Sequence, residues 1–88
     1  MFQNVHKLLF KELSHIDKMF VLAMATDKNV SRFADIILRT GKTKNYLSKY
    51  RMRLIDSGYI IPIRRGEIAF ALPFTREFLL QEIEKAEL

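Results

Sequence analysis

Apolar residues recur at intervals of three or four along most of this 88-residue chain, a spacing typical of helices that bury one side. The pattern predicts five helices, over about 2–13, 14–26, 31–40, 43–57 and 75–86. Ser14, Ser31 and Thr43 begin three of them, where a side-chain hydroxyl can accept a hydrogen bond from a free backbone N–H. The sequence therefore predicts a helical domain that is interrupted between its fourth and fifth helices.

The apolar positions also predict which side of each helix is buried. The inward set on the first helix is Phe2, Val5, Leu9 and Leu13, widened by Leu8 and Phe10. The inward sets on the other four helices are Ile16, Phe20, Ala23 and Met24; Phe33, Ile36 and Ile37; Leu47 and Leu54; and Phe78, Leu79 and Ile83. The first and last helices have broad apolar faces, so they are expected to pair either with each other or with a second subunit in a homodimer.

After Gly58 the spacing of apolar residues changes to an alternation, which predicts strands over Tyr59–Ile63 and Glu67–Leu72. Residues 64–66 separate the two strands as the turn of a hairpin. Pro62 has no N–H to donate, so its strand is expected at an edge of the sheet.

The predicted fold class is mainly α with a small β-hairpin, in the order of a winged helix-turn-helix with extra N- and C-terminal helices. The break at Gly41-Lys42 supplies the short turn between the third and fourth helices. We expect a single winged-helix domain over residues 1–88. Its parts are a core over about 14–73, flanking helices over 2–13 and 75–86, a recognition helix over 43–57 and a wing over 59–72.

Positive charge is concentrated in one part of the chain. The formal net charge is +5, yet the segment from Arg39 to Arg65 alone has eight basic residues and one acidic residue, Asp56, a net charge of +7. The other residues together have a net charge of −2. A surface charged only for solubility mixes both signs along the chain. The segregation therefore indicates a basic patch for a polyanionic partner, and double-stranded DNA is the expected one.

Composition argues against several other functions. Without cysteine the chain can form neither a disulfide nor a thiolate metal site, and a cytoplasmic location is expected. No apolar run approaches the roughly 18 residues of a membrane span. His6 and His15 lie on different predicted helices with no third ligand near, so solvated or capping roles are expected instead of a metal site. Since no nucleophile–base pair is recognisable, we expect no catalytic residues, no cofactor and no enzyme activity.

The outward side of the fourth helix and the hairpin tip supply the candidate DNA-binding residues. These are Lys42, Thr43, Lys44, Asn45, Ser48, Lys49, Met52, Arg53, Arg64 and Arg65. In a major groove, Asn45 suits adenine and Lys49 suits guanine. Phosphate is the ligand expected at the helix N-terminus, which holds Lys42, Thr43 and Lys44. The hairpin arginines, Arg64 and Arg65, can reach the flanking backbone or the minor groove.

Each assignment has a simpler alternative. The helix face can be an ordinary solvated surface, Thr43 can be a helix cap alone, and the hairpin arginines can keep an exposed strand edge from pairing with another chain. Arg51 falls on the inward stripe, so its stem is expected to pack while its charged end emerges. Tyr46 and Tyr50 could contact phosphates or bases, but packing against the third helix or the wing is the expected role.

Two runs of sequence resemble a known family: GKTKNYLSKYRMRLIDSGYI and RRGEIAFALPFTREFL. They are similar to the C-terminal winged-helix domain of bacterial and archaeal AAA-type ATPases. The matching positions are Asn45, Leu47, Ser48, Arg51, Leu54, Ile55, Gly58, Ile60, Arg64, Arg65, Gly66, Phe70 and Pro73. The resemblance covers roughly Ser14 to Leu79.

The resemblance implies a domain that binds DNA or docks on the nucleotide-binding module of a longer ATPase. That module is missing from these residues, so the chain is either an excised domain or a free-standing relative, and ATP hydrolysis is not implied for it. The leading expectation is a DNA-binding module. The alternative is a protein docking or dimerisation domain without direct DNA contact.

Overall fold

Helices form most of the part of the chain that the structure describes. The computed structural model describes residues 2–87, and the side chains of residues 4–86. In chain order the elements are α1 (Phe2–Lys11), α2 (His15–Met24), β1 (Ser31–Arg32), α3 (Phe33–Thr40), α4 (Lys44–Asp56), β2 (Ile60–Arg64), β3 (Glu67–Phe70) and α5 (Thr75–Glu87). The predicted fold class, mainly α with a small β-hairpin, is confirmed.

The core lies where α2, α3 and α4 meet the hairpin. Its fully buried side chains include Phe20, Ile36, Leu47 and Leu54, all from the predicted inward faces. The ring of Phe20 stacks on that of Phe33, with the two centroids 6.1 Å apart. Because α4 packs on this core by one side only, its opposite side faces solvent.

The hairpin belongs to a three-stranded antiparallel sheet in the order β1-β3-β2. β2 lies at an edge, as Pro62 predicts, with Pro62 opposite Ile68 of β3. On the other side of β3, Ser31 pairs with Ile68 and Arg32 pairs with Glu67. The sequence pattern did not predict β1, because two residues are too few to show an alternation.

Ser31 does not cap the third helix, contrary to the prediction. The N-cap of α3 is Arg32, whose side chain makes no capping hydrogen bond. The hydroxyl of the buried Ser31 instead lies 3.3 Å from the Met24 carbonyl and 2.7 Å from Asp27 Oδ2. Ser31 therefore joins β1 to the end of α2.

Local hydrogen bonds fix both ends of α4. Thr43 Oγ1 accepts from the Tyr46 N–H at 3.2 Å, so the predicted cap is confirmed. At the other end, the N–H groups of Gly58 and Tyr59 donate to carbonyls of the last helical turn, which is the hydrogen-bond pair of a Schellman motif. Gly58 has a φ of 82°, in the left-handed region that favours a residue without Cβ. The chain thus turns sharply from α4 into β2.

His6 is buried, contrary to the solvated or capping role predicted for it, whereas His15 is exposed. Its Nε2 lies 3.0 Å from the Pro73 carbonyl, and its ring stacks on Phe78 of α5 with the centroids 5.8 Å apart. Phe10 also meets Phe78, edge-on at 5.9 Å. α1 and α5 therefore pack against each other within the chain, which is one of the two pairings expected for the terminal helices.

The apolar stripe predicted for α1 faces largely outward. Val5, Leu8 and Leu9 have exposed fractions of 51%, 64% and 37%. The side chain of Phe2, which was assigned to the same stripe, lies outside the described residues. The face was mis-assigned because the residue that packs most deeply in α1 is a histidine, which a hydrophobic pattern counts as polar.

An ion pair joins the turn after α2 to α3, and it makes the folded state sensitive to acid. Both carboxylate oxygens of Asp27 accept from Arg39, at 2.7 and 3.0 Å. The hydrogen bonds from Arg39 hold the pKa of Asp27 below its ordinary value. A carboxyl group whose pKa is lower in the folded state stabilises the fold above its unfolded pKa, and that stability is lost as the pH falls through the folded value.

We therefore expect the free energy of unfolding to fall on acidification by about 0.5–1 kcal/mol more in the wild type than in Asp27→Asn. Urea unfolding between about pH 6 and about pH 2 measures the difference. Asp56→Asn, at the exposed C-terminal end of α4, is the control and should follow the wild type. Equal acid sensitivity of Asp27→Asn and the wild type would mean that the ion pair between Asp27 and Arg39 does not cause the loss of stability in acid.

Candidate nucleic-acid interface

α4 presents a wide exposed surface because only one side of it packs on the core. Successive residues of an α-helix are turned by about 100° around the axis. With Leu47 and Leu54 buried, the side chains of Asn45, Lys49 and Met52 lie on the outer side, and all three are exposed. The outward orientation predicted for them is confirmed.

One flank of α4 forms a cleft with β1, the start of α3 and the hairpin tip, which we call the basic cleft. Its volume is about 480 Å³, and the cations that line it are Arg32, Lys44, Arg51 and Arg65. Arg51 Cζ lies 4.6 Å from the ring centroid of Phe33, a cation–π contact that holds the guanidinium against the wall. These cations come from three separate parts of the chain, so only folding brings them together.

The opposite flank of α4 combines two tyrosines with three cations. The rings of Tyr46 and Tyr50 have their centroids 5.4 Å apart. Lys49 Nζ lies 5.4 Å from the first centroid and 5.1 Å from the second. Lys42 Nζ lies 5.8 Å from the Tyr46 ring, and Arg53 Cζ lies 5.6 Å from the Tyr50 ring. The sequence predicted neither this tyrosine pair nor the cations over it.

Arg53, which was predicted to contact DNA, also forms an ion pair within the domain. Its Nη2 lies 3.2 Å from Oδ2 of Asp17, a carboxylate that is only 3% exposed. The same oxygen accepts from the Ser14 hydroxyl at 2.8 Å, in the capping box at the start of α2. Arg53 therefore neutralises a buried carboxylate and connects α4 to α2, although its side chain is still 60% exposed.

The hydroxyls of Thr43 and Ser48 have partners within the helix. Thr43 caps α4, and Ser48 Oγ donates to the Lys44 carbonyl at 2.8 Å. Ser48 is half-buried as well. The hydroxyls of these two candidates therefore form hydrogen bonds within α4, whereas the Lys44 side chain is exposed and lines the basic cleft.

The hairpin tip extends the charge of α4. Arg64 has a side chain that is 79% exposed, and its Nε lies 4.0 Å from Glu67 Oε1, at the outer limit of an ion pair. Arg65 is exposed and lines the basic cleft. A second groove, of about 440 Å³ between α4 and the hairpin, joins Met52 to both arginines. The two flanks of α4 and the hairpin tip thus form one cationic surface, although the cations do not lie on one side of the helix.

Among the described side chains, those of residues 4–86, no three histidine, aspartate or glutamate residues are grouped so as to hold a metal ion. No helix within residues 2–87 is both long enough and apolar enough to cross a membrane.

Residues 3–79, which is most of the chain, match a protein family described as a domain of unknown function, DUF8462. The chain belongs to this family. No curated protein and no solved structure matches it. The part of this DUF8462 domain covered by the match runs from α1 into the first turns of α5, so it includes the whole cationic surface.

The DNA-binding residues predicted from the sequence do not include two cations of the basic cleft of this DUF8462 domain, Arg32 and Arg51. Arg32 stands apart from the basic segment in sequence, and only the pairing of β1 with β3 brings it to the hairpin. Arg51 was assigned to the inward stripe, and the predicted packing of its stem is confirmed by its half-buried state and its contact with Phe33. A signal for Arg51 did exist, because it follows Lys44 by seven residues and so shares its flank.

Proposed function

We propose that this domain is a DNA-binding winged helix-turn-helix module, with α4 in the major groove and the hairpin along the flanking backbone. The observation that carries the proposal is the cationic surface that runs from both flanks of α4 to the hairpin tip. Apart from Arg32, its cations lie in the segment from Arg39 to Arg65, which has a net charge of +7, while the other residues have a net charge of −2. The module acts by binding in the cytoplasm, without a catalytic step or cofactor of its own.

The layout of α4 suits a helix that lies between two phosphate backbones. Lys44 on one flank and Lys42 and Arg53 on the other face the two backbones, which fixes position without reading sequence. Asn45, Lys49 and Met52 on the outer side face the base edges. There the Asn45 amide suits adenine, the Lys49 ammonium suits guanine, and the Met52 methyl group suits the methyl group of thymine.

A titration of duplex DNA at several salt concentrations tests the proposal. If the domain neutralises about five to seven phosphates, log affinity falls with log salt at a slope of about −4.5 to −6. Fluorescence anisotropy of a labelled duplex measures both the affinity and the slope. Undetectable binding, or binding that salt does not weaken, would overturn the proposal.

Base contacts and phosphate contacts predict different consequences of substitution. Asn45→Ala and Lys49→Ala are expected to reduce discrimination between the preferred duplex and a single-base variant by about 1–3 kcal/mol. Arg65→Ala is expected to weaken all duplexes alike and to lower the salt slope by about one. Selection from a randomised duplex pool, followed by competition titrations, separates the two classes. A uniform loss in all three variants would refute the base contacts of α4.

The resemblance to the C-terminal domains of AAA-type ATPases supports the same proposal and adds a partner, the ATPase module of a parent protein. A second candidate function is docking or dimerisation through the outer side of α1, which the exposure of Val5 and Leu8 favours. Sedimentation equilibrium with and without duplex distinguishes the two. A dimer disrupted by Leu8→Glu, together with absence of DNA binding, would favour the second function.

A further inference from the structure

The basic cleft has the properties of a site for an oxyanion. Arg32, Lys44, Arg51 and Arg65 converge on it, and none of them forms an ion pair with another described residue. Glu67 is the acid at its rim. Four cations around one cleft repel one another unless an anion neutralises them, and this part of the protein contains too little negative charge to do so.

Arg51 is the best-prepared donor of the cleft. Its guanidinium lies on the Phe33 ring, so its position is set before a ligand arrives. Its Nε is buried and has no hydrogen-bond partner among the described residues. A buried donor without a partner costs free energy, and an oxyanion in the cleft would supply the missing acceptor.

We propose that the basic cleft is a phosphate-binding site, which takes one phosphate group of a DNA backbone between α4 and the hairpin. This inference rests on the proposed function and adds Arg32 and Arg51 to it. Arg51 binds the phosphate with its planar fork, and Arg32 reaches the same group from the far wall. A phosphate held there fixes the rotation of α4 about its own axis, and with it the outer side chains that read bases.

The first arm of the test uses inorganic phosphate. Nitrogen-15 NMR spectra of the whole chain are recorded during titration with phosphate, at an ionic strength kept constant with chloride. The expected result is a saturable change at the Arg51 Nε–Hε signal and at the backbone amides of Phe33 and Gly66. Arg51→Lys keeps the charge but not the fork, so it is expected to bind phosphate more weakly. Signals that move throughout the chain alike, without saturation, would overturn the site.

The second arm uses duplex DNA at about 0.1 M salt. Loss of one phosphate contact removes about 0.9 of a logarithmic unit of affinity there, so Arg32→Ala is expected to bind about eightfold more weakly than the wild type. Arg32 is exposed, so the substitution should leave the fold intact. Lys85→Ala removes the same charge from the exposed side of α5 and should bind as the wild type does.

A neutral methylphosphonate placed at successive positions of the duplex identifies the phosphate. At one position it should weaken the wild type about eightfold and weaken Arg32→Ala by a smaller factor, because that variant has already lost one of the two arginines that bind this phosphate. If duplexes bind with a steep salt slope but Arg32→Ala and Arg51→Lys match the wild type, the phosphate site falls and the DNA-binding proposal stands. If phosphate saturates the cleft but no duplex binds, both the DNA-backbone assignment and the proposed function fall, and a free phosphate compound is the ligand.

Discussion

Replacing Lys44, Arg64 and Arg65 together by alanine is expected to weaken duplex binding about 500-fold at about 0.1 M salt, because each lost phosphate contact removes about 0.9 of a logarithmic unit. The slope of log affinity against log salt should become shallower by about 2.7 for the same reason. All three side chains are exposed, so the folded structure should be retained. Anisotropy titrations at several salt concentrations give both quantities.

The matched control for the triple variant removes the same charge elsewhere. Lys7, Lys11 and Lys85 are exposed on α1 and α5, away from the cationic surface. Their simultaneous replacement by alanine should change duplex affinity by less than about threefold, since net charge acts mainly through long-range attraction that salt screens. Equal losses in the two triple variants would mean that net charge, not the surface of α4 and the hairpin, governs binding.

The second large effect concerns stability. Phe20 is fully buried and stacks on Phe33, so Phe20→Ala removes a ring from the centre of the core and leaves a cavity. Such substitutions lower the free energy of unfolding by about 3–5 kcal/mol. Because small domains have only about 5–15 kcal/mol in total, the variant should be close to unfolded at physiological temperature. Urea unfolding followed by circular dichroism measures the loss.

Leu38→Ala provides the comparison for Phe20→Ala. Leu38 is 79% exposed on α3, so removing its side chain should change the free energy of unfolding by no more than about 0.5 kcal/mol. Phe20 is the opposite case, because its side chain is fully buried. A small effect of Phe20→Ala would mean that the core is not where the structure puts it.

The parts of the fold that local rules determine could be predicted from the sequence. Thr43 and Gly58 fix the two ends of α4 by capping chemistry that acts within a few residues. Pro62 placed its strand at an edge because it lacks an N–H. The outward position of Lys49 followed from helical spacing once Leu47 was recognised as buried.

The features that the sequence did not show depend on partners that are distant along the chain. Arg53 contacts Asp17 across 36 residues, and no local pattern marks that pair. His6 is buried because Pro73 accepts its hydrogen bond and Phe78 stacks on it. The basic cleft likewise needs Arg32, which arrives through a strand of only two residues. The periodicity of the sequence therefore did not predict the roles of side chains whose partners are distant along the chain.

The most direct test of DNA binding through α4 observes which side of the domain meets the duplex. Methyl carbon-13 labelling of methionine gives one probe on the outer side of α4, Met52, and one in the core, Met24, which is 1% exposed. On addition of a duplex, we expect a large, saturable shift of the Met52 methyl signal and almost none at Met24. A duplex that binds and leaves the Met52 signal in place would contradict DNA binding through α4.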